Sequence, residues 1–175
     1  ADHKRRQKKD RIREINLLAA KYFFKVLTSS NHGRKFLEYL EERHVSRDEI
    51  RSFKLGASFD SWDNLVKTLG KKGFSPQELA SAGLAIYSDR SGSFYDRFRN
   101  RLMFPLFNVV GDIIGFAGRA YGDDMPKYLN TPETALFDKS KLLYGLDRAK
   151  KYLDKHGAIV TEGYMDVIAL HGAGL

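Results

Sequence analysis

LMFPLFNVVGDIIGFAGRAY, residues 102–121, holds two apolar, β-prone runs, Leu102 to Val110 and Ile113 to Tyr121, around a turn signal at Gly111 and Asp112. Two such runs flanking a glycine-bearing turn predict a β-hairpin. Pro105 has no N–H to give a ladder, which places the first run at a sheet edge or beside a bulge. Gly115 and Gly118 mark bends or a close backbone approach.

Upstream of the hairpin the pattern is helical. Ile12, Ile15, Ala19, Tyr22 and Val26 recur at steps of three and four, a stripe facing a core. Ahead of it stands a charged head with Lys4, Arg5, Arg6, Lys8, Lys9, Arg11 and Arg13, a run that reads as a solvated linker or as a track for a phosphate backbone. A helix is expected from Asn31, with Phe36, Leu37 and Leu40 inside. Ser46 with Glu49 forms a capping box, in which serine oxygen and carboxylate each accept an otherwise orphaned backbone N–H. Ser61 is expected to start a helix carrying Trp62, Leu65, Val66 and Leu69, with Gly70 as its stop, and Ser75-Pro76 with Glu78 starts another that ends at Gly83.

Downstream, a polar loop from Gly122 to Thr134 is followed by a helix expected over 141–155, with Leu142, Leu143, Leu146, Ala149, Tyr152 and Leu153. Ala158 to Thr161 reads as a short buried strand, and Glu162-Gly163 turns it into a helix with Met165, Val167, Ile168 and Leu170, the opening of a βαβ unit. A lone strand and helix cannot complete a parallel sheet, so further protein is expected after Leu175. The fold class is therefore α+β. Residues 1–84 form a helical basic subdomain, 85–155 its β-rich part with a small mixed or antiparallel sheet, and 156–175 the first strand and helix of an α/β unit.

Composition narrows the function classes. Hydrophobic residues make up 42% of the chain and aromatics 13%, enough to build a core and to argue against disorder. No apolar stretch approaches the roughly 20 residues of a membrane span, so no membrane role is expected. The absence of cysteine excludes disulfides and thiolate metal sites and fits a cytoplasmic protein. Thirty Lys and Arg against 22 Asp and Glu leave a net charge of +8, which points to a polyanionic partner, nucleic acid first. The five histidines show no paired metal spacing, and no Ser-His-Asp series, P-loop or dinucleotide fingerprint occurs.

Several residues could carry chemistry. The loop 122–134 sets Lys127, Tyr128 and Asn130 between Pro126 and Pro132, which limit its freedom; such a trio could grip a phosphate, stack on a base and bind a polar edge, or could be a plain turn. Arg119 leaves the second β-run just before this loop, suited to bidentate phosphate binding or to a salt bridge with Asp123 or Asp124. Lys139 is a weaker phosphate candidate or a solvated lysine. Arg97, Arg99 and Arg101, if extended, project from one face as a ladder for a nucleic-acid backbone, or simply as a charged sheet surface. Arg43 complements a helix C-terminus. Glu162 would sit at a strand's carboxyl end, where open α/β sheets bind ligands, and Asp166 lies one turn on; the two could share a hard cation, or Glu162 could merely favour the helix dipole.

Five segments occur in one order: YDRFRNRLMFPL (95–106), IGFAGR (114–119), PKYLNTPET (126–134), LYGL (143–146) and EGYMDV (162–167). Together they resemble the catalytic core of DnaG-type bacterial primases. The resemblance covers essentially the whole chain and is loose before residue 36. It implies a TOPRIM fold faced by a basic subdomain across a groove, and synthesis of short RNA primers on a single-stranded DNA template from ribonucleoside triphosphates, with Mg²⁺ or Mn²⁺. It assigns Arg119, Lys127, Tyr128, Asn130 and Lys139 to nucleotide or template binding, Arg43 less closely, and Glu162 and Asp166 to the TOPRIM acids, with Glu162 holding metal or acting as base. His44 and Val45 depart from the family's glycine and leucine after Arg43, and Ala117 from a glycine near Arg119.

The family's zinc ribbon and downstream TOPRIM aspartates find no counterpart here, so zinc is not expected, and the 175 residues alone are expected not to polymerise, which primer synthesis in Mg²⁺ or Mn²⁺ would refute. In the intact enzyme the resemblance implies in-line attack of a 3′-hydroxyl on a triphosphate, and a replicative helicase as partner. A non-catalytic single-strand-binding module, and a TOPRIM nuclease or topoisomerase, remain the competing classes.

Overall fold

The structure, a computed structural model, describes residues 2–175. Helix α1 (Asp2–Ser29) runs unbroken for 28 residues, so the charged head expected as a linker is its opening turns. Its buried stripe is Ile12, Ile15, Ala19, Phe23 and Val26; Phe23 lies at the centre and Tyr22 is only half-buried. Gly33 follows against the carbonyls of Val26 and Leu27, where any Cβ would collide with backbone. That tight turn postpones α2 (Arg34–Glu42) to three residues beyond the expected start at Asn31. Helix α3 (Arg47–Ser52) opens on the Ser46–Glu49 capping box and α5 (Pro76–Ser81) on the Ser75–Glu78 box, as their spacing requires.

Between them α4 (Asn64–Gly70) departs from expectation. It is not capped by Ser61, and Asp63 at its N-cap position makes no side-chain capping bond. The Asp96 carboxylate arrives from a strand instead and accepts from Leu65 N at 2.8 Å and Val66 N at 2.9 Å.

Strands β1 (Gly56–Ala57), β4 (Arg101–Phe107), β5 (Ile113–Ala120) and β6 (Tyr128–Asn130) form one antiparallel sheet in the order β1-β4-β5-β6, and β2 (Ala85–Ser88) with β3 (Ser93–Asp96) makes a separate hairpin. The expected hairpin is β4–β5, turned by Asn108, whose Oδ1 accepts from Val110 N and Asp112 N. β1 reaches only Leu102 and Met103, which leaves no strand on the outer side of Pro105, and a register shift follows between Leu106 and Phe107. At Gly115 and Gly118 it is side chains, not backbone, that come close: a Cβ on Gly118 would stand 2.9 Å from Arg101 Cδ, and one on Gly115 would stand 3.0 Å from Thr131 Cβ.

Every residue of β4 is buried because the sheet is covered on both faces. On one face Met103 and Phe116 pack with Ile12, Ile15 and Phe23 of α1 and with α4 and α5. On the other, Leu102, Phe104 and Ala117 pack with Phe36 and Leu40 of α2, Ile50 and Phe53 near α3, and Ile168. Burying each such large side chain is worth ~1.5–3 kcal/mol, and this double layer holds the sheet rigid.

The last third corrects the sequence reading. The helix expected over 141–155 is broken into a 3-10 turn (Lys139–Lys141), α6 (Leu146–Ala149) and α7 (Leu153–His156). Gly145 adopts a left-handed conformation at φ 83°, which no helix continues through. The strand expected at Ala158 to Thr161 does not form. No strand of the described residues lies beside it to share a ladder, and Ile159 and Val160 are exposed rather than buried. Helix α8 (Tyr164–Gly172) does form and buries Ile168.

Candidate nucleotide and nucleic-acid interface

Strand β6 is a three-residue edge of the sheet, and the candidate residues divide across its two faces. Register places Leu102, Arg119 and Tyr128 in one row and Phe104, Ala117 and Asn130 in the next. Alternation along each strand puts both rows on the same face. Arg119 therefore stands beside Tyr128, with its guanidinium 4.6 Å from the Tyr39 ring of α2. Arg43, at the C-terminus of α2, lies 5.2 Å from that same ring, so Tyr39 gathers two arginines far apart in sequence. Arg119 makes no ion pair with Asp123 or Asp124 among the described residues. Its remaining donors stay available for an anion; only a 3.4 Å bond to the Ala120 carbonyl is made.

Lys127 is exposed just before β6, outside the Arg119 row, and is held through its main chain, its carbonyl accepting from Ala120 N at 2.8 Å. Lys139 is also exposed; its N–H donates to Glu133 across the 3-10 turn. Among the described residues no hydrogen bond or ion pair joins Lys139 to the Arg119 row.

Leu129 points to the opposite face, into a cleft of about 240 Å³ lined by Arg97, Arg99, Asn100, Arg101, Asp60, Asp124, Met125 and Pro126. The three arginines meet there, but not as the extended ladder expected. Asn100 has a positive φ of 51°, which breaks the alternation. Arg97 donates twice to the Asn130 carbonyl, and Arg101 is buried with Nη1 on the Gly118 carbonyl. Burial lowers the pKa of both guanidiniums from a starting point so high that they stay charged. These two brace β5 and β6 from behind. Arg99 is the more available: it stacks 4.1 Å over Trp62 and 5.4 Å over Tyr95, with Nη1 on the Asp96 carbonyl.

Trp62, expected on the apolar face of a helix, is 63% exposed and precedes α4. Its carbonyl accepts from Asp96 N at 2.6 Å. Asp96 thus holds the indole's main chain, the Arg99 side chain and the start of α4. Burial raises its carboxyl pKa, and the N–H groups of Leu65 and Val66 offset this in part. No sequence motif marks Trp62, Asp96 or Tyr39 for this interface; the one signal is that Trp62 is the single tryptophan of the chain.

Glu162 is exposed in the bend before α8, and Asp166 is exposed in that helix's first turn. Asp166 Oδ2 lies 3.0 Å from where a Gly163 Cβ would stand, so it folds back toward the bend. No group of three metal-ligating side chains occurs among the described residues. Two exposed carboxylates do not make a self-sufficient metal site. The α8 start is nonetheless brought to β6: Tyr164, two residues after Glu162, stacks on Phe104 at 5.4 Å, lies 6.0 Å from Tyr128, and its hydroxyl reaches Asn130 Oδ1 at 3.5 Å.

Residues 22–150 match the family described as DNA primase catalytic core, N-terminal domain. The chain is 46% identical over 178 residues to the DNA primase of Pseudomonas putida, covering 99% of this chain and 27% of that protein. It is 45% identical over 162 residues to that of Deinococcus radiodurans, covering 92% of this chain and 28% of that protein. Among solved structures it superposes on the RNA polymerase domain of Mycobacterium tuberculosis primase DnaG, in complex with an overhanging double-stranded DNA oligomer, with TM-score 0.88 and 38% identity over 94% of this chain and 52% of that one. A DnaG primase catalytic domain bound to single-stranded DNA gives TM-score 0.85 and 37% identity over 96% of this chain and 54% of that one. The chain spans little more than a quarter of its curated relatives, and it belongs to the DnaG-type family of bacterial primase catalytic cores.

Proposed function

We propose that this chain is the template- and nucleotide-handling part of a primase core, serving DNA-templated synthesis of short RNA primers from ribonucleoside triphosphates. The observation that carries the reading is the division of cations across β6: Arg43, Arg119 and Tyr128 on one face, the Trp62–Arg99 stack and its arginine cleft on the other. A polymerase must hold a triphosphate and a template strand at once, and basic faces on either side of one thin strand offer each its own set of cations. Arg119, Lys127 and Lys139 would neutralise phosphates, while Tyr128 and Asn130 would fix the nucleoside. Trp62 and Arg99 would stack a template base and hold its backbone.

Glu162 and Asp166 would lend carboxylates to the divalent metal, Mg²⁺ or Mn²⁺, of the intact enzyme, beside the face that holds the triphosphate. In that enzyme, residues 1–84 and 85–155 would serve as one basic subdomain and 156–175 as the start of the TOPRIM unit. A primosome in the cytoplasm, with a replicative helicase and the nascent RNA primer as partners, is the setting we assign; no described helix is long and apolar enough to cross a membrane.

The sequence has one tryptophan, so its fluorescence reports Trp62 alone. Titration with a single-stranded oligonucleotide should quench it, and Arg99→Ala should weaken that binding about tenfold, in the ~1–2 kcal/mol range of one stacked cation. Lys127→Ala and Arg119→Ala should weaken ribonucleoside triphosphate binding while leaving the quenching titration within about twofold. An unquenched Trp62, or equal losses in both assays for all three variants, would overturn the division of labour.

A further inference from the structure

We infer that the overhanging start of α1 and the turn between α4 and α5 form a second polyanion surface, fitted to the phosphate backbone of a nucleic-acid duplex. The first buried residue of α1 is Ile12 and residues 2–8 are all exposed, so they extend ~10 Å beyond the body, with Lys9 half-buried at their base. Arg5, Lys8 and Lys9 stand three, four or seven residues before Ile12, Ile15 or Asn16, which continues the core-facing stripe as a basic one. The basic side of the overhang therefore looks toward the side on which the body lies.

Arg11 fixes what lies there. It donates to the Gly73 carbonyl at 3.0 Å, stacks 4.1 Å over Phe74 and pairs with Glu78 at 2.7 Å. The two residues before Gly73 are Lys71 and Lys72, both exposed. Local acids do not neutralise this surface. Glu14 and Glu78 are engaged by Arg11, and Asp10 and Asp112 by Arg13. Lys4, Arg5, Arg6, Lys8, Lys9, Lys71 and Lys72 have no ion pair among the described residues.

The chemistry selects the partner. Residues 2–11 carry no apolar side chain, so the overhang has nothing to insert into a lipid interface. Phe74 is buried beneath Arg11, and no exposed Phe, Tyr or Trp stands in the patch, so unstacked bases find no platform. What remains is a rigid array of point charges, which suits the regular phosphates of a duplex. Lys71 also directly follows α4, and Trp62 stands two residues before its other end; α4 is only ~10 Å long. The duplex surface stands on its own charges, while its service to a template gripped at Trp62 rests on the function proposed above.

The test compares Lys8→Ala/Lys9→Ala/Lys71→Ala/Lys72→Ala with a control of equal charge, Lys21→Ala/Lys25→Ala/Lys151→Ala/Lys155→Ala, by anisotropy of labelled duplex DNA and of oligo-dT. The patch variant should lose at least about tenfold in duplex affinity and lower the salt slope by about three to four, with oligo-dT affinity within about twofold. The control should stay near wild type for both. An unchanged duplex affinity, an equal loss in the control, a parallel loss for oligo-dT, or competition of duplex by phosphatidylserine vesicles overturns the proposal. Loss of Trp62 quenching with the duplex result intact would fault only the template reading.

Discussion

Replacing Asp96 with alanine removes one carboxylate that serves as the side-chain cap of a helix it does not belong to. Two N–H groups at the start of α4, Leu65 at 2.8 Å and Val66 at 2.9 Å, lose their acceptors in a place that is 4% exposed. A lost cap costs ~1–2 kcal/mol, and an unsatisfied buried donor ~1–3 kcal/mol. Because burial already raises the Asp96 carboxyl's pKa, part of its desolvation cost is relieved on truncation, and the lower end of the sum applies, about 2 kcal/mol. For a domain of this size that is ~4–8 °C in Tm. Asp96→Asn retains one carbonyl acceptor but turns an amide donor toward the other N–H, so it should fall between wild type and alanine. The effect should reach Trp62, whose carbonyl bonds Asp96 N, and Arg99, which bonds the Asp96 carbonyl. Urea unfolding followed by Trp62 emission, with oligo-dT titration alongside, measures both consequences. An alanine variant within ~0.5 kcal/mol of wild type, or an asparagine variant less stable than alanine, would refute the account of the cap.

Two further outcomes follow from other contacts. The Glu78 carboxyl is held below its usual pKa first by the Arg11 guanidinium and then by Ser75 N–H, so the stability it contributes is present above the ordinary glutamate range and is lost as pH falls through its lowered value. The stability gap between wild type and Glu78→Gln in urea should therefore narrow between about pH 5 and pH 3; a gap constant across that window would remove Arg11 as the cause. Tyr164→Ala takes away the ring packed on Phe104, Tyr128 and Tyr144, and should expose residues 164–172 to rapid amide exchange while β4 and β5 remain protected. Uniform loss of protection would instead make α8 part of the central core.

Local chemistry reads directly from the chain wherever a few neighbouring residues settle the outcome. The β4–β5 hairpin, both capping boxes and the apolar stripe of α1 follow from periodicity, turn residues and caps within a few positions of one another. The motif series 95–167 likewise pointed to the primase family. Expectation failed where a partner comes from elsewhere in the chain. Asp96 caps α4 from a strand about 30 residues away, and Gly145 breaks a helix that apolar spacing alone would continue. Ala158 to Thr161 have strand composition but no neighbour to complete a ladder, and backbone groups without partners do not make a sheet. The same holds for the candidate interface. Sequence supplied Arg43, Arg119, Tyr128 and the arginines at 97, 99 and 101, because charge and motif are local properties. Only tertiary packing decided that Tyr39 gathers the first pair, that Arg97 and Arg101 turn inward as braces, and that Trp62 stands outside under Arg99. Side chains on one strand alternate by geometry, but which face meets solvent is settled by what the rest of the chain brings against it.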